Sequence, residues 1–336
     1  MFKTALSFDD VLLRPLYSDI VTRGDVDLSV KLDDLMTMRL PIFGAPMDTI
    51  MSPEMAIALD SAGAIGIVHR YCTIKEQSKT VSAATASGAT VFAAVGVTDD
   101  YMDRIFSLVA SNCSGICVDV AHGHNANVID AVKRIRDSYP RLHIMAGNVA
   151  TPDGFLALEA AGADSIRVGI GGGSICSTRI QTGHGIPTFQ SVLECAQSGG
   201  DALLIADGGI KNSGDMVKAL AAGADAVMVG RMLSGTTESP GELIHDPPNP
   251  PRKVYRGMAS VEAQFEWRGR SSSNEGVSRT VPLRGPVREV LNEINRGLRS
   301  GLSYSGARNI MQLQSKAEFI IQTSSGMKES STHIDS

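Results

Sequence analysis

Eight short apolar runs recur along the chain, separated by stretches whose apolar residues fall at helical spacing. The runs are "PIFGAPM" (41–47), "AIGIVHR" (64–70), "VFAAVGV" (91–97), "GICVDVA" (115–121), "HIMAGNV" (143–149), "SIRVGI" (165–170), "LLIADGGI" (203–210) and "AVMVGR" (226–231). Each is continuously apolar rather than alternating, the pattern of a strand covered on both faces in a parallel sheet. Between them, "NVIDAVKRIRDSY" sets Val128, Ile129, Val132 and Ile135 on one stripe, and "SGDMVKALAAGA" is predicted to begin on a Ser213 cap. "GPVREVLNEINRGLRSG" opens on Pro286 and carries Val287, Val290, Leu291, Ile294 and Leu298, which makes it the helix after the eighth strand. Eight strands alternating with helices predict an α/β chain folded as a (β/α)8 TIM barrel, with an open doubly wound sheet as the alternative.

Two connections are far longer than the roughly two to six residues usual after such strands. The one after the sixth run extends from Gly171 to about Phe189. The one after the eighth runs from Met232 to Gly285, about 54 residues, and contains "HDPPNPPRK" and "RGRSSSNEG". Both leave the carboxyl ends of their strands, where barrel enzymes keep their sites. Residues 1–336 are therefore read as one barrel domain with no inserted regulatory domain. A flap spans about 232–285 and a tail about 312–336.

Composition narrows the class. Only 5% of residues are aromatic, which suits a parallel-sheet core. The net charge is −5 and no block of Lys and Arg interrupts it, which argues against a nucleic-acid partner. No segment reaches 18 uncharged apolar residues, which argues against a membrane span, and Asp9 and Asp10 sit where a leader would be apolar. Five cysteines, Cys72, Cys113, Cys117, Cys176 and Cys195, form no CxxC pair and read as free thiols. A cytoplasmic protein is expected.

Chemistry concentrates in three places. The first is "GIGGGSICSTRIQTGHG" (169–185), a glycine-rich loop holding Cys176 among Ser174, Ser177, Thr178 and Arg179. A thiol in such polar company, with Arg179 to favour its thiolate, reads as a nucleophile, whereas the other four cysteines read as small buried hydrophobes. The second is the pair of turns "ADGGI" and "VGR", where Gly208, Gly209 and Gly230 let backbone N–H groups approach a phosphate and Asp207 faces ribose hydroxyls. The third is the ends of the fourth and fifth strands, with Asp119, Ala121, His122 and Asn148. His122 and His124 lack a third ligand at metal spacing.

Taken together, "SFDDVLLRP", "APMDT", "AGNVAT", "VGIGGGSICSTR", "IADGGI", "SGTTESPGE", "YRGMAS" and "GLRSGLSYSGA" resemble the IMP dehydrogenase / GMP reductase family over residues 7–333. The resemblance implies a tetrameric barrel whose Cys176 attacks C2 of a purine nucleoside monophosphate, with hydride exchanged with a nicotinamide cofactor. It implies that Thr178 and Glu275 serve the departing ammonia or attacking water. Ser174, Asp207, Gly208, Gly209, Gly230, Arg231 and Tyr255 are then expected to hold the nucleotide, with Met47, Gly257, Met258 and Gly276 near the base. Asp119, Ala121, His122, Asn148 and Gly169 are expected to face the cofactor. The carbonyls of Gly171, Gly173 and Cys176 resemble a potassium site, completed by Glu329 and Ser330 of a neighbouring subunit.

Two activities divide the family. The dehydrogenase oxidises IMP to XMP with NAD and hydrolyses its intermediate using an Arg-Tyr pair on a long flap. The reductase releases ammonia from GMP and uses NADPH to give IMP. The flap "FEWRGRSSSNEG" is short and lacks Arg-Tyr, which favours the reductase. "GTTESPGE" and "GMKESSTH" resemble bacterial dehydrogenases, with Arg268 or Arg270 as substitute flap bases. The reductase's usual arginine before the glutamate is out of register, and Arg231 replaces a small residue of the phosphate turn. GMP reductase is the favoured expectation and IMP dehydrogenase the alternative.

Overall fold

The computed structural model describes residues 3–98, 100–271 and 274–330. Eight parallel strands close into a barrel: β1 (Ile42–Gly44), β2 (Ile65–Val68), β3 (Val91–Val95), β4 (Gly115–Asp119), β5 (His143–Val149), β6 (Ser165–Val168), β7 (Leu203–Asp207) and β8 (Ala226–Val229). Closure comes from β8 pairing with β1, Val227 opposite Ile42 and Val229 opposite Gly44. Each strand lies within one of the predicted apolar runs. A closed ring has no edge strand, so the open-sheet alternative is excluded.

The helices are α1 (Pro53–Ser61), α2 (Ile74–Thr85), α3 (Tyr101–Ala110), α4 (Ala126–Ser138), α5 (Pro152–Ala160), α6 (Thr178–Thr182), α7 (Thr188–Ala196), α8 (Ser213–Ala221), α9 (Val261–Arg268) and α10 (Val287–Tyr304), of which α6 and α9 belong to the two long connections. The predicted stripes are the buried ones. Helix α4 buries Val128, Val132 and Ile135, and α10 buries Val287, Leu291, Ile294 and Leu298. One cap differs from expectation. Ser213 is the first helical residue of α8, and the cap is Asn212, whose extended backbone lets its side chain accept the Asp215 N–H at 2.9 Å. No helix among the described residues is long and apolar enough to cross a membrane.

Both long connections hold more structure than loops. Helix α6 forms inside the cysteine loop. The flap contains an antiparallel sheet of β9 (Leu243–Ile244), β10 (Arg252–Arg256) and β11 (Ser278–Pro282), with α9 between β10 and β11 in the chain. Strand β10, "RKVYR", buries alternate residues, Lys253 and Tyr255. That period-two pattern is absent from a search for continuously apolar runs. Lys253 Nζ donates to the carbonyls of Thr236, Thr237 and Ser239 (2.9, 3.2 and 2.5 Å), fastening the sheet to "SGTTESPGE". Arg256 ties its far end to Asp48 after β1 and to Glu266 on α9, both at 2.5 Å. At the other side of the mouth, Val11–Leu13 pairs antiparallel with Phe319–Ile321, and Phe8 meets Phe189 edge-on at 5.9 Å. The amino-terminal segment therefore also borders the mouth.

Candidate active site

A cavity of about 740 Å³ opens at the carboxyl ends of the strands, where the cysteine loop, the turns after β7 and β8, and the flap converge. Glycines make this convergence possible by close approach more than by mobility. A Cβ on Gly169, whose φ is +145°, would stand 1.9 Å from the Asp207 carbonyl oxygen. One on Gly208, at φ +93°, would stand 3.0 Å from the Gly173 nitrogen. The loops after β6 and β7 touch backbone to backbone, which only glycine permits.

Cys176 lies on this cavity wall. Its thiol donates to Thr178 Oγ1 at 3.1 Å, and the Thr178 hydroxyl donates to Glu275 Oε2 at 2.8 Å. Glu275 reaches this position because the flap pairs with the cysteine loop. Cys176 and Gly276 form an antiparallel bridge, the Ser177 N–H donates to the Glu275 carbonyl (2.8 Å), and the Val277 N–H donates to the Ile175 carbonyl (3.0 Å). The polar neighbour of the thiol is thus Thr178. Arg179, expected to favour the thiolate, instead donates to the Ile186 carbonyl at 2.8 Å and packs against Gly171 and Gly185. Of the remaining cysteines, burial pushes Cys72 up to about 11 and Cys113, Cys117 and Cys195 up to about 12, which leaves them poor nucleophiles near neutrality.

The turns after β7 and β8 form part of the cavity wall. Gly208, Gly209, Gly230 and Arg231 line it, with Ser174 Oγ 3.3 Å from the Tyr255 hydroxyl. Tyr255 is only 4% exposed, and burial raises its pKa against the opposing Ser174 hydrogen bond, so the hydroxyl keeps its proton. Met47, Gly257, Met258 and Gly276 line the walls beside Cys176. Asp119, Ala121, Asn148 and Gly169 also line the cavity.

A buried arginine links two carboxylates of the cavity wall. Arg167 of β6 donates to Asp207 Oδ2 (2.8 Å) on one side and to Asp119 Oδ1 (2.6 Å) on the other, and Asn148 also donates to Asp207 Oδ2 at 2.8 Å. Burial disfavours the guanidinium's charge, but Asp207 and Asp119 outweigh it and raise its pKa. Arg167 therefore stays charged and holds both carboxylates in place. Its sequence signal was a lone arginine inside the apolar run "SIRVGI". Arg70, Tyr71, Lys211, Thr188 and the segment Ser7–Asp9 also line the cavity without having been singled out. The buried atoms Asn148 Oδ1 and Thr188 Oγ1 have no hydrogen-bond partner among the described residues.

Three expected residues stand apart from the wall. His122 is exposed beside His124, their rings 6.5 Å apart, and does not line the cavity. Glu329 ends the helix Ser324–Glu329 and Ser330 follows it, both exposed and off the cavity wall of this chain. Gly171 and Gly173 line the cavity, and the Gly173 carbonyl accepts the Cys176 N–H at 3.1 Å.

A family model described as the IMP dehydrogenase / GMP reductase domain matches residues 5–333. The chain belongs to the IMP dehydrogenase / GMP reductase family. It is an oxidoreductase acting on purine nucleotides, and the family uses NAD(P). Inosine-5′-monophosphate dehydrogenases of Nitrosopumilus maritimus and Bacillus subtilis are each 33% identical to it. The alignments cover 99% and 98% of this chain and 98% and 96% of those proteins. Among solved structures, a cysteine-to-alanine variant of GMP reductase from Trypanosoma brucei, in complex with guanosine 5′-monophosphate, superposes with a TM-score of 0.93 at 28% identity. That likeness covers 99% of this chain and 98% of the other.

Proposed function

We propose that this family member is a GMP reductase, converting GMP to IMP and ammonia with NADPH. The hydrogen-bonded series from Cys176 Sγ through Thr178 to Glu275 supports the covalent chemistry, and the short flap without an Arg-Tyr pair carries the choice of reductase. The Cys176 thiol passes its proton through Thr178 to Glu275 and adds as thiolate to C2 of GMP, and the 2-amino group leaves as ammonia, taking that proton back through Thr178. When bound, the reduced nicotinamide cofactor supplies the hydride that C2 needs. The C2–S bond then breaks, the thiolate is released and IMP forms. In this reading Ser174, Tyr255, Arg231 and the amides of Gly208 and Gly209 hold the phosphate, and Asp207 holds the ribose. Asp119, Ala121 and the unpartnered Asn148 Oδ1 suit the hydroxyls and amide of a nicotinamide nucleotide. A homotetramer in the cytoplasm is part of the same reading, as is a potassium ion on the Gly171, Gly173 and Cys176 carbonyls with Glu329 and Ser330 of a neighbouring copy.

The dehydrogenase reading is supported by the names of the relatives at 33% identity and by the segments "GTTESPGE" and "GMKESSTH". It requires a base that activates water at the same carbon. The flap arginine Arg268 is instead stacked over Trp267 at 3.8 Å, which favours the reductase. Replacing Cys176 by Ala is expected to abolish turnover in either direction while GMP binding, measured by calorimetry, stays within a few-fold. Residual turnover at a substantial rate would sink the covalent mechanism.

A further inference from the structure

Among the described residues, the cations that line the cavity are Arg70, Arg167, Arg179, Lys211 and Arg231, and all but the last are taken. Arg70 donates to the Asp119 carbonyl at 3.3 and 3.1 Å, and Arg167 to the carboxylates of Asp119 and Asp207. Arg179 donates to the Ile186 carbonyl, and Lys211 to both oxygens of Asp9 at 2.6 and 2.7 Å. The guanidinium of Arg231 has no hydrogen-bond acceptor and no ion pair among the described residues. The carboxylates of the same wall are committed elsewhere, Asp9 to Lys211, Asp119 and Asp207 to Arg167, and Glu275 to Thr178. The backbone that carries Arg231 is nevertheless fixed. Ser234 Oγ and the Ser234 N–H donate to the Arg231 carbonyl at 2.6 and 3.2 Å. A Cβ on the preceding Gly230 would stand 3.3 Å from the Tyr255 hydroxyl, so the turn runs directly past that group. Tyr255 is buried there, whereas Arg231 is exposed. Strands β7 and β8 pair in the barrel, Asp207 opposite Met228, which sets the Gly208–Gly209 turn alongside.

We propose that Arg231 extends the phosphate position outward, so that the site takes a purine nucleoside 5′-diphosphate as well as a monophosphate. The proposal rests on the reading of the turns after β7 and β8 as the phosphate position, and adds to it a second class of ligand. The buried Tyr255 hydroxyl, with Ser174 beside it at 3.3 Å, and the turn amides are the inner donors. They hold the phosphate attached to the ribose. A second phosphate carried by the first projects toward solvent, on the side where the exposed guanidinium stands. A guanidinium presents its N–H donors as a planar fork and meets two anionic oxygens at once, which lets Arg231 bridge the inner phosphate and the outer one. Because it gives up no protein partner, Arg231 makes this contact without the loss that Lys211 would incur on leaving Asp9. The diphosphate is then a competitor of the monophosphate, placed on the same ribose and base positions.

The experiment titrates GMP, and separately guanosine 5′-diphosphate, into the full-length protein by calorimetry, with EDTA present so that the diphosphate carries no metal. The diphosphate is expected to bind within about tenfold of GMP, and to give no heat of binding once GMP saturates the protein. In the Arg231→Ser variant, the affinity for the diphosphate should fall by about tenfold more than the affinity for GMP, the scale of one hydrogen bond to a charged group. The exposed position of Arg231 makes the fold an unlikely casualty of this change, and GMP binding by the variant reports on it directly. Absence of diphosphate binding in a protein that binds GMP overturns the proposal alone. So does diphosphate binding that persists under saturating GMP, or an equal loss for the two ligands in Arg231→Ser. A protein that binds neither nucleotide overturns it together with the reading beneath it.

Discussion

Thr178 touches both the thiol of Cys176 and the carboxylate of Glu275, and its hydroxyl is the single group that connects them. That position makes its role separable from binding. Thr178→Val and Glu275→Gln are each expected to lower kcat by about 10²- to 10⁴-fold, the range for a general acid-base group, with GMP affinity kept within a few-fold. Steady-state kinetics with calorimetry checks this, and equal losses in affinity and kcat would assign the pair to binding instead. Cys176 itself was legible in the sequence because its neighbours are polar and glycine-rich, unlike those of the other four cysteines. Arg167 was not. Its meaning depends on Asp119 and Asp207, 48 and 40 residues away in the chain, which only barrel closure brings to 2.6 and 2.8 Å.

At the scale of elements, the continuous apolar runs found every barrel strand because both faces of each are covered. The flap sheet escaped because β10 alternates and β11, "SRTVP", buries no residue. The cap of α8 illustrates a one-residue ambiguity that spacing alone leaves open, since Asn212 and Ser213 are both good cap residues. Geometry decides it. Asn212→Ala is expected to cost about 1 kcal/mol of stability in urea unfolding, and Ser213→Ala less than about 0.5 kcal/mol. The reverse order would place the cap where the sequence reading had it. Pairing between flap and cysteine loop, through Cys176 opposite Gly276, had no sequence signal beyond the two motifs themselves.

For the whole molecule, acid sensitivity follows from two buried imidazoles. His143, at the start of β5, is bonded by Ser165 Oγ at 3.0 Å and Asp33 Oδ2 at 3.3 Å. Burial pushes its pKa below the ordinary 6.5, against the opposing pull of Asp164 and Asp33. His69, whose Nδ1 has no partner among the described residues, is also lowered by burial, with Asp48 opposing. A folded-state pKa below the unfolded value means that the unfolded chain binds more protons. The stability due to these neutral rings is therefore complete above about 6.5 and is lost as pH falls toward the folded-state values. The urea midpoint should drop as pH falls below about 6.5; a flat or rising midpoint would contradict it.

At the same scale, in the proposed reading the thiol, the glycine turns after β7 and β8, and Glu275 serve either reaction, so the direction is set elsewhere. The barrel and the family were legible from apolar runs and ordered motifs, and the flap is where the two activities diverge. Its carboxylate, Glu275, is in place beside Thr178, while Arg268 lies on Trp267. The direct measurement incubates the purified protein with GMP and NADPH, and separately with IMP and NAD⁺, following reduced nicotinamide, ammonia and XMP. The account predicts NADPH oxidation with one ammonia released per GMP consumed, and no XMP. Formation of NADH with stoichiometric XMP, and no NADPH oxidation with GMP, would contradict it.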